Sequence, residues 1–248
     1  MQAVSSVDLQ NLTIAEDGCQ LFSAVFNQSQ IEHMQAALAQ AVTRHKSSVC
    51  ERDGEVYAAR NVLEICPLAR TVWQVPSIID LLTDVLGPGF GLVRGLYFDK
   101  PPGQTWALPW HKDLSIAVAP HCGSSEIPCR RKRGTWHCEP PETVLQLMLT
   151  LRLHLDPMTL TNGPLEVLPG SHRNGRQLVI QAQQPVLVTG TAGDVFAMRP
   201  LLAHRSGRSA PDSCEHRRIL HLEFSSAVPL PLGLRWHEFQ VVESRGRA

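Results

Sequence analysis

The chain carries no surplus of either charge: 23 Lys and Arg balance 23 Asp and Glu. A neutral balance gives no argument for nucleic acid or an anionic membrane surface as partner, since those call for a basic excess. No apolar run reaches the roughly eighteen residues that span a bilayer, so no membrane insertion is expected. The opening MQAVSSVDLQ lacks the basic start and apolar stretch of a secretory signal. The seven cysteines are odd in number and none forms a CxxC pair. That pattern indicates reduced thiols and a cytoplasmic protein rather than a disulfide framework. Internal repeats and low-complexity linkers are missing too. So is strand–helix–strand alternation in the second half, which argues against a Rossmann-like sheet.

What remains is an ordinary globular composition, 43% hydrophobic over 248 residues. That is enough for one generous core without a metal or disulfide staple. Apolar residues Ile31, Met34, Leu38, Ala41 and Val42 recur at helical spacing within 29–44, with Ser29 as the expected N-cap. Residues 77–86 repeat the pattern, with Ser77 as cap and Gly87-Pro88 as the stop. From about residue 91 the texture changes to short apolar or alternating runs: 92–98, 143–155, 165–169, 185–189, 194–198 and 218–224. Gly, Pro and Asn turns separate them, which predicts a sandwich or jelly roll. The expected protein is mainly β with flanking helices. We read residues 1–248 as one domain: a helical layer and lead-in strand (1–90), a β-core (91–225) and a C-terminal extension (226–248).

Chemistry gathers in Leu108-Pro-Trp-His-Lys-Asp-Leu114. In extended chain, His111 and Asp113 point to one face. His204 follows 93 residues later, in a turn–strand–break context, and a jelly roll brings such distant strands together. Two histidines and one carboxylate on one face of an octahedron leave three positions open, the arrangement of non-haem Fe(II) oxygenases. A keto acid takes two of those positions and O2 the third. Arg217 and Arg218 open the strand RILHLEF, and a guanidinium fork suits the far carboxylate of the keto acid. Adjacent strand residues face opposite ways, so only one of the two can point inward.

These segments resemble the phytanoyl-CoA dioxygenase family of 2-oxoglutarate oxygenases. The resemblance rests on Phe98-Asp-Lys-Pro-Pro-Gly103, Pro109-Trp-His-Lys-Asp113, Leu151-Arg-Leu-His-Leu-Asp156 and Asn162-Gly-Pro-Leu-Glu-Val-Leu-Pro-Gly-Ser-His172. It continues in Gly193-Asp194, Pro200-Leu-Leu-Ala-His204-Arg-Ser206 and Arg217-Arg218. The Asn162–His172 run is the most specific element, and the agreement in order and spacing covers about residues 90–225. The resemblance implies a cupin-like double-stranded β-helix with Fe(II) on His111, Asp113 and His204. It implies 2-oxoglutarate on Arg217, with Arg218 the close second and Ser206 assisting. Arg60 is an expected basic residue near the co-substrate, and Arg152 an expected functional residue of the barrel interior.

The implied reaction hydroxylates a small organic substrate with O2, releasing succinate and CO2. Related halogenases have a small residue at the position of Asp113, so the retained acid favours hydroxylation. The alternatives are another oxidative outcome on the same scaffold and a cupin-like metal-binding protein without turnover. Neither the prime substrate nor the oligomeric state follows from these residues.

Other features carry a plainer reading beside a functional one. Arg152, His154 and Asp156 share one strand face, which lines the barrel or faces solvent. His121, Cys122, Cys129, His137 and Cys138 sit in a long loop that is expected to act as a lid or substrate wall, with a zinc site as the alternative. The run Arg130-Arg131-Lys132-Arg133 reads as a solvated loop. Trp106, Trp110 and Trp136 either line an apolar pocket or serve packing.

Overall fold

The computed structural model describes residues 9–52, 54–102, 106–123, 126–180 and 184–241. Gly103, the first eight residues with most of the signal reading, and residues 242–248 of the extension lie outside these. In chain order the strands are β1 (Cys19–Phe22), β2 (Val49–Arg52), β3 (Glu55–Ala59), β4 (Gly91–Lys100), β5 (Leu108–His111) and β6 (Ile116–Val118). They continue as β7 (Cys129–Lys132), β8 (Thr135–Cys138), β9 (Met148–His154), β10 (Leu165–Val167) and β11 (Val186–Val188). The last are β12 (Val195–Met198), β13 (His204–Ser206), β14 (Arg217–Ser225) and β15 (Gln240–Val241). The α-helices are α1 (Gln28–Arg44), α2 (Val62–Ile65), α3 (Pro76–Leu86) and α4 (Glu142–Gln146).

Two antiparallel sheets make the double-stranded β-helix. The major sheet runs β1-β12-β9-β14-β4-β3-β2, with β15 also on β4, and the minor sheet runs β11-β10-β13-β5. Side-chain alternation divides the major sheet into two chemistries. On β9 and β14, Leu149, Leu151, Leu153, Leu220, Leu222 and Phe224 enter the main apolar core. That core is completed by Ile31, Met34 and Leu38 of α1 and by Ile78 and Leu82 of α3. Arg152, His221 and Glu223 alternate with them and line a cavity on the other face. Between the sheets, at the far end, Phe196 and Met198 of β12 meet Leu165, Val167, Val186 and Val188 in a second cluster.

Several elements differ from the sequence expectation, each for a local reason. The cap of α1 is Asn27, not Ser29: its side chain accepts from the Gln30 amide while Gln30 reaches back to the Asn27 amide, a reciprocal capping box. Helix α3 starts at Pro76 with Val75 as cap, not Ser77, because proline's fixed φ suits the first helical position. The expected strand at 143–155 is split. Residues 143–146 belong to α4 behind Pro141, and the strand begins at Met148; a short apolar run does not distinguish the two by periodicity. The sequence VYAARNVL (56–63) predicts a strand that contains Arg60, but β3 ends at Ala59, because Asn61 takes a left-handed φ of 57°. The N-terminal layer is helical but also supplies β1, β2 and β3 to the major sheet.

The long 115–138 loop is largely a third sheet, β6-β8-β7. Ile116, Val118 and Cys138 seat it on Val144, Leu145, Leu230 and Leu234. The Asn61 side chain donates to Thr135 Oγ1 at 2.9 Å, and Arg133 donates to the Val49 carbonyl at 3.2 Å. This sheet is therefore tied to the N-terminal strands.

Candidate active site

The minor sheet assembles the triad. His204 on β13 is the register partner of His111 on β5, and the two rings lie 4.2 Å apart, centroid to centroid. Asp113 follows the end of β5, where its amide donates to the Pro200 carbonyl at 2.9 Å. His204 Nε2 is 3.7 Å from Asp113 Oδ2. One ligand atom from each of His111, Asp113 and His204 lies within 4.8 Å of the others, the one such His/Cys/Asp/Glu group among the described residues.

Both imidazoles are oriented by backbone two residues upstream. His111 Nδ1 lies 2.8 Å from the Pro109 carbonyl and His204 Nδ1 2.9 Å from that of Leu202. Each Nδ1 then carries the proton and each Nε2 keeps a lone pair for a metal. Burial, working against Asp113, pushes His204 down to about 4, so that ring is neutral at pH 7. Burial would raise the Asp113 carboxyl, but His204, His221, His111 and Arg94 outweigh it and hold the group below its ordinary value.

The Pro169-Gly-Ser-His turn supports both ligand segments. Ser171 Oγ accepts from the Ala203 amide at 2.8 Å, beside His204. Lys112, between the other two triad residues, donates to the carbonyls of Ser171 at 2.8 Å and Gly175 at 2.6 Å. His172 itself stays outside the triad. Gly163, from the same motif, has φ +68°, and a Cβ there would lie 2.6 Å from the Gly207 carbonyl. Only glycine fits this close crossing next to β13.

A cavity of about 390 Å³ opens over the triad. Its inner end holds two guanidinium groups with no acidic partner. Arg152 (7% exposed) and Arg217 (5% exposed) are buried. Arg152 Nη1 lies 3.3 Å from His221 Nδ1. Arg152 Nε, Arg217 Nε, Arg217 Nη1 and Ser206 Oγ have no hydrogen-bond partner. Burial pushes Arg152 down to about 10. Burial, followed by repulsion from Arg152, pushes Arg217 down to about 9. Buried polar groups are ordinarily satisfied, so these atoms fit an anion supplied from outside the chain.

The other expected residues fall in different places. Arg218 is a correction: it does not line the cavity. It points to the opposite face, where Nε and Nη2 grip Asp156 at 2.8 and 2.7 Å. Asp156 is thereby turned away from Arg152, because it lies beyond the end of β9. His154 is fully buried with both ring nitrogens unpartnered, and burial, then Arg152, hold it down at about 3. Arg60 lines the cavity, on the side where its charge acts on Lys132 and His137 rather than on Arg217. Trp106 lines the cavity, Trp110 lies under Arg205 at 4.9 Å, and Trp136 packs on the third sheet's core. Cys122, Cys129 and Cys138 are free thiols.

Sequence reasoning missed Arg94, His221 and Glu223. Arg94 pairs with Glu223 at 3.2 Å, and His221 Nε2 is 3.4 Å from the same carboxylate. The available signal was the placing of His221 and Glu223 at alternate positions of an otherwise apolar strand, two residues apart from each other and in step with Arg217.

Fold and site together define a double-stranded β-helix protein with a His-Asp-His cluster over an arginine-floored cavity. The chain belongs to the phytanoyl-CoA dioxygenase family, whose profile matches residues 14–215. Among curated proteins no sequence matches. Solved structures show the same fold at low identity. EctD from S. alaskensis with bound Fe is 18% identical, with TM-score 0.66, over 86% of this chain and 74% of EctD. EctD has also been solved with 2-oxoglutarate and 5-hydroxyectoine, at TM-score 0.65 and 18% identity over 86% of this chain and 73% of EctD. The non-haem α-ketoglutarate-dependent carbocyclase SnoK from nogalamycin biosynthesis is 18% identical, with TM-score 0.67, over 94% of this chain and 98% of SnoK.

Proposed function

We propose that this protein is an Fe(II)- and 2-oxoglutarate-dependent dioxygenase that hydroxylates a small organic substrate. The observation that carries the reading is the pairing of two features in one cavity: three metal-ready side chains, and buried arginine nitrogens lacking any partner. Family membership supports it, as do the Fe bound in EctD and the keto-acid dependence of SnoK.

In this reading His111 and His204 offer Nε2, and Asp113 a carboxylate oxygen, to Fe(II). Bound there, the metal would supply O2 reduction coupled to oxidation of 2-oxoglutarate to succinate and CO2. Arg217 receives the distal carboxylate of 2-oxoglutarate in a charge-assisted bond. Ser206 donates its hydroxyl to the same group, and Arg152 adds positive potential at the inner end. The Pro109 and Leu202 carbonyls keep both imidazoles in the ligating tautomer. Leu96, Phe98, Leu114 and Leu165 line the cavity and exclude water from the reacting carbon. The retained acid at Asp113 favours hydroxylation over halide transfer.

The three parts of the chain form one domain in this proposal, since β1–β3, the core strands and β15 share one sheet. Among the described residues, no helix is long and apolar enough to cross a membrane. We place the protein in the cytoplasm, a setting that suits its seven free cysteines.

The test is an anaerobic titration of metal-free protein with Fe(II) and 2-oxoglutarate, followed by visible absorption. A metal-to-ligand charge-transfer band is expected in the native protein and not in His204→Ala. A folded native protein without the band would overturn the reading in favour of a metal-binding protein without turnover.

A further inference from the structure

The cavity wall holds more positive charge than 2-oxoglutarate can use. Most of its cations are committed within the chain. Arg94 pairs with Glu223, Arg205 pairs with Glu166 at 2.7 Å, and Lys112 is held by two carbonyls. Arg152 and Arg217 remain at the inner end for the co-substrate. At the outer end, Arg60 and Lys132 line the same cavity, and neither side chain has a hydrogen-bond or ion-pair partner among the described residues.

These outer cations are close enough to feel one another. Burial, followed by the charges of Arg130, Arg60 and Arg94, lowers the Lys132 ammonium. Burial, Arg94, Lys132 and Arg60 together push the adjacent His137 down to about 4, against a hydrogen bond to the Thr135 carbonyl. The one acid of this wall, Glu139, is taken by Arg176 at 2.6 Å and faces Arg130 at 4.0 Å. The backbone that carries each cation is anchored through its next residue. Arg60 precedes Asn61, whose side chain is bonded to Thr135 of β8, and Lys132 precedes Arg133, bonded to the Val49 carbonyl. Like charges gathered on one cavity wall repel, and a bound anion relieves that repulsion.

We propose that the prime substrate carries a carboxylate or phosphate group, and that Arg60 and Lys132 bind it at the outer end of the cavity while the carbon to be oxidised faces the triad. The proposal rests on the oxygenase reading for its second half. The anion site itself does not need the metal.

The experiment is calorimetric titration of native protein and of the Arg60→Gln/Lys132→Gln variant with inorganic phosphate and, separately, acetate. Both proteins are held anaerobically with Fe(II) and saturating 2-oxoglutarate. Native protein is expected to bind one of the two anions. The double variant is expected to lose about tenfold or more in affinity, as for loss of charge-assisted bonds, with its charge-transfer band intact. Arg60→Lys, which keeps the charge, should retain most of the affinity. Preference for phosphate or acetate tells a phosphorylated substrate from a carboxylated one. Equal binding by native protein and double variant, no binding of either anion to native protein, or displacement of the anion by 2-oxoglutarate would each overturn the proposal. If the native protein shows no band yet phosphate or acetate binding still depends on Arg60 and Lys132, the oxygenase reading fails and the anion site stands.

Discussion

The two ends of the cavity handle positive charge in opposite ways. At the inner end Arg152 and Arg217 are buried between the sheets, without acidic partners and with unpartnered nitrogens. At the outer end Arg60, after β3, and Lys132, on β7 of the third sheet, line the cavity where water solvates what the protein does not pair. Arg218 supplies the control: it neighbours Arg217 in sequence, faces the other side of β14, and is neutralised by Asp156. A single unpaired charge on the surface is solvated by water, so the outer cations point to a ligand through their gathering on one cavity wall rather than through lack of a partner. A buried charge does call for a partner, since desolvation costs several kcal/mol unless one arrives.

The largest effect on stability is expected at the pair between these ends. Glu223→Ala leaves Arg94 and His221 without their shared carboxylate and should destabilise the fold by about 3–5 kcal/mol, the scale for breaking a buried ion pair; chemical denaturation reads this directly. A loss below about 1 kcal/mol would place the pair among solvated ones.

Arg217 and Arg218 sharpen the contrast next. Arg217→Ala should weaken 2-oxoglutarate binding by about a hundredfold, in line with truncating one partner of a buried charge pair, as read from the charge-transfer titration. Arg218→Ala should leave that binding unchanged and lower stability by about 1–3 kcal/mol through the orphaned Asp156. Equal effects of the two variants on 2-oxoglutarate would break the distinction between the faces of β14.

His154 gives a pH test of the inner end. Its folded-state proton affinity corresponds to a pKa of about 3, whereas an unfolded histidine titrates near pH 6.5. Below that pH the unfolded chain binds the extra proton, so stability falls as pH drops from about 6.5 towards 3. His154→Leu should flatten the melting temperature between pH 6.5 and 4. An unchanged slope would assign the acid sensitivity to other groups.

The smallest effect belongs far from both ends. Asn27→Ala removes the capping box of α1 and should reduce stability by about 1 kcal/mol, with no change in 2-oxoglutarate or phosphate affinity.

Much of this protein was legible in its residues alone. The apolar periodicity of α1 and α3 survives because their buried stripes need only a flat apolar sheet to pack on. Strands β4, β10, β11, β12 and β14 were visible because turn residues bound each run. The triad candidates were visible because His111 and Asp113 stand two apart beside a specific turn motif. Three things depended on tertiary structure. The choice between Arg217 and Arg218 required knowing which face of β14 meets the helices, and Leu220, Leu222 and Phe224 settle that face. The third sheet was hidden because its strands are short and its polar residues, Arg130 to Lys132, read as a solvated loop. The Arg94–Glu223–His221 cluster was hidden because its members are 129 residues apart at the extremes. Local sequence determines which residues can form a strand or ligate a metal; only packing decides which of them lose water, and so which charges need a partner.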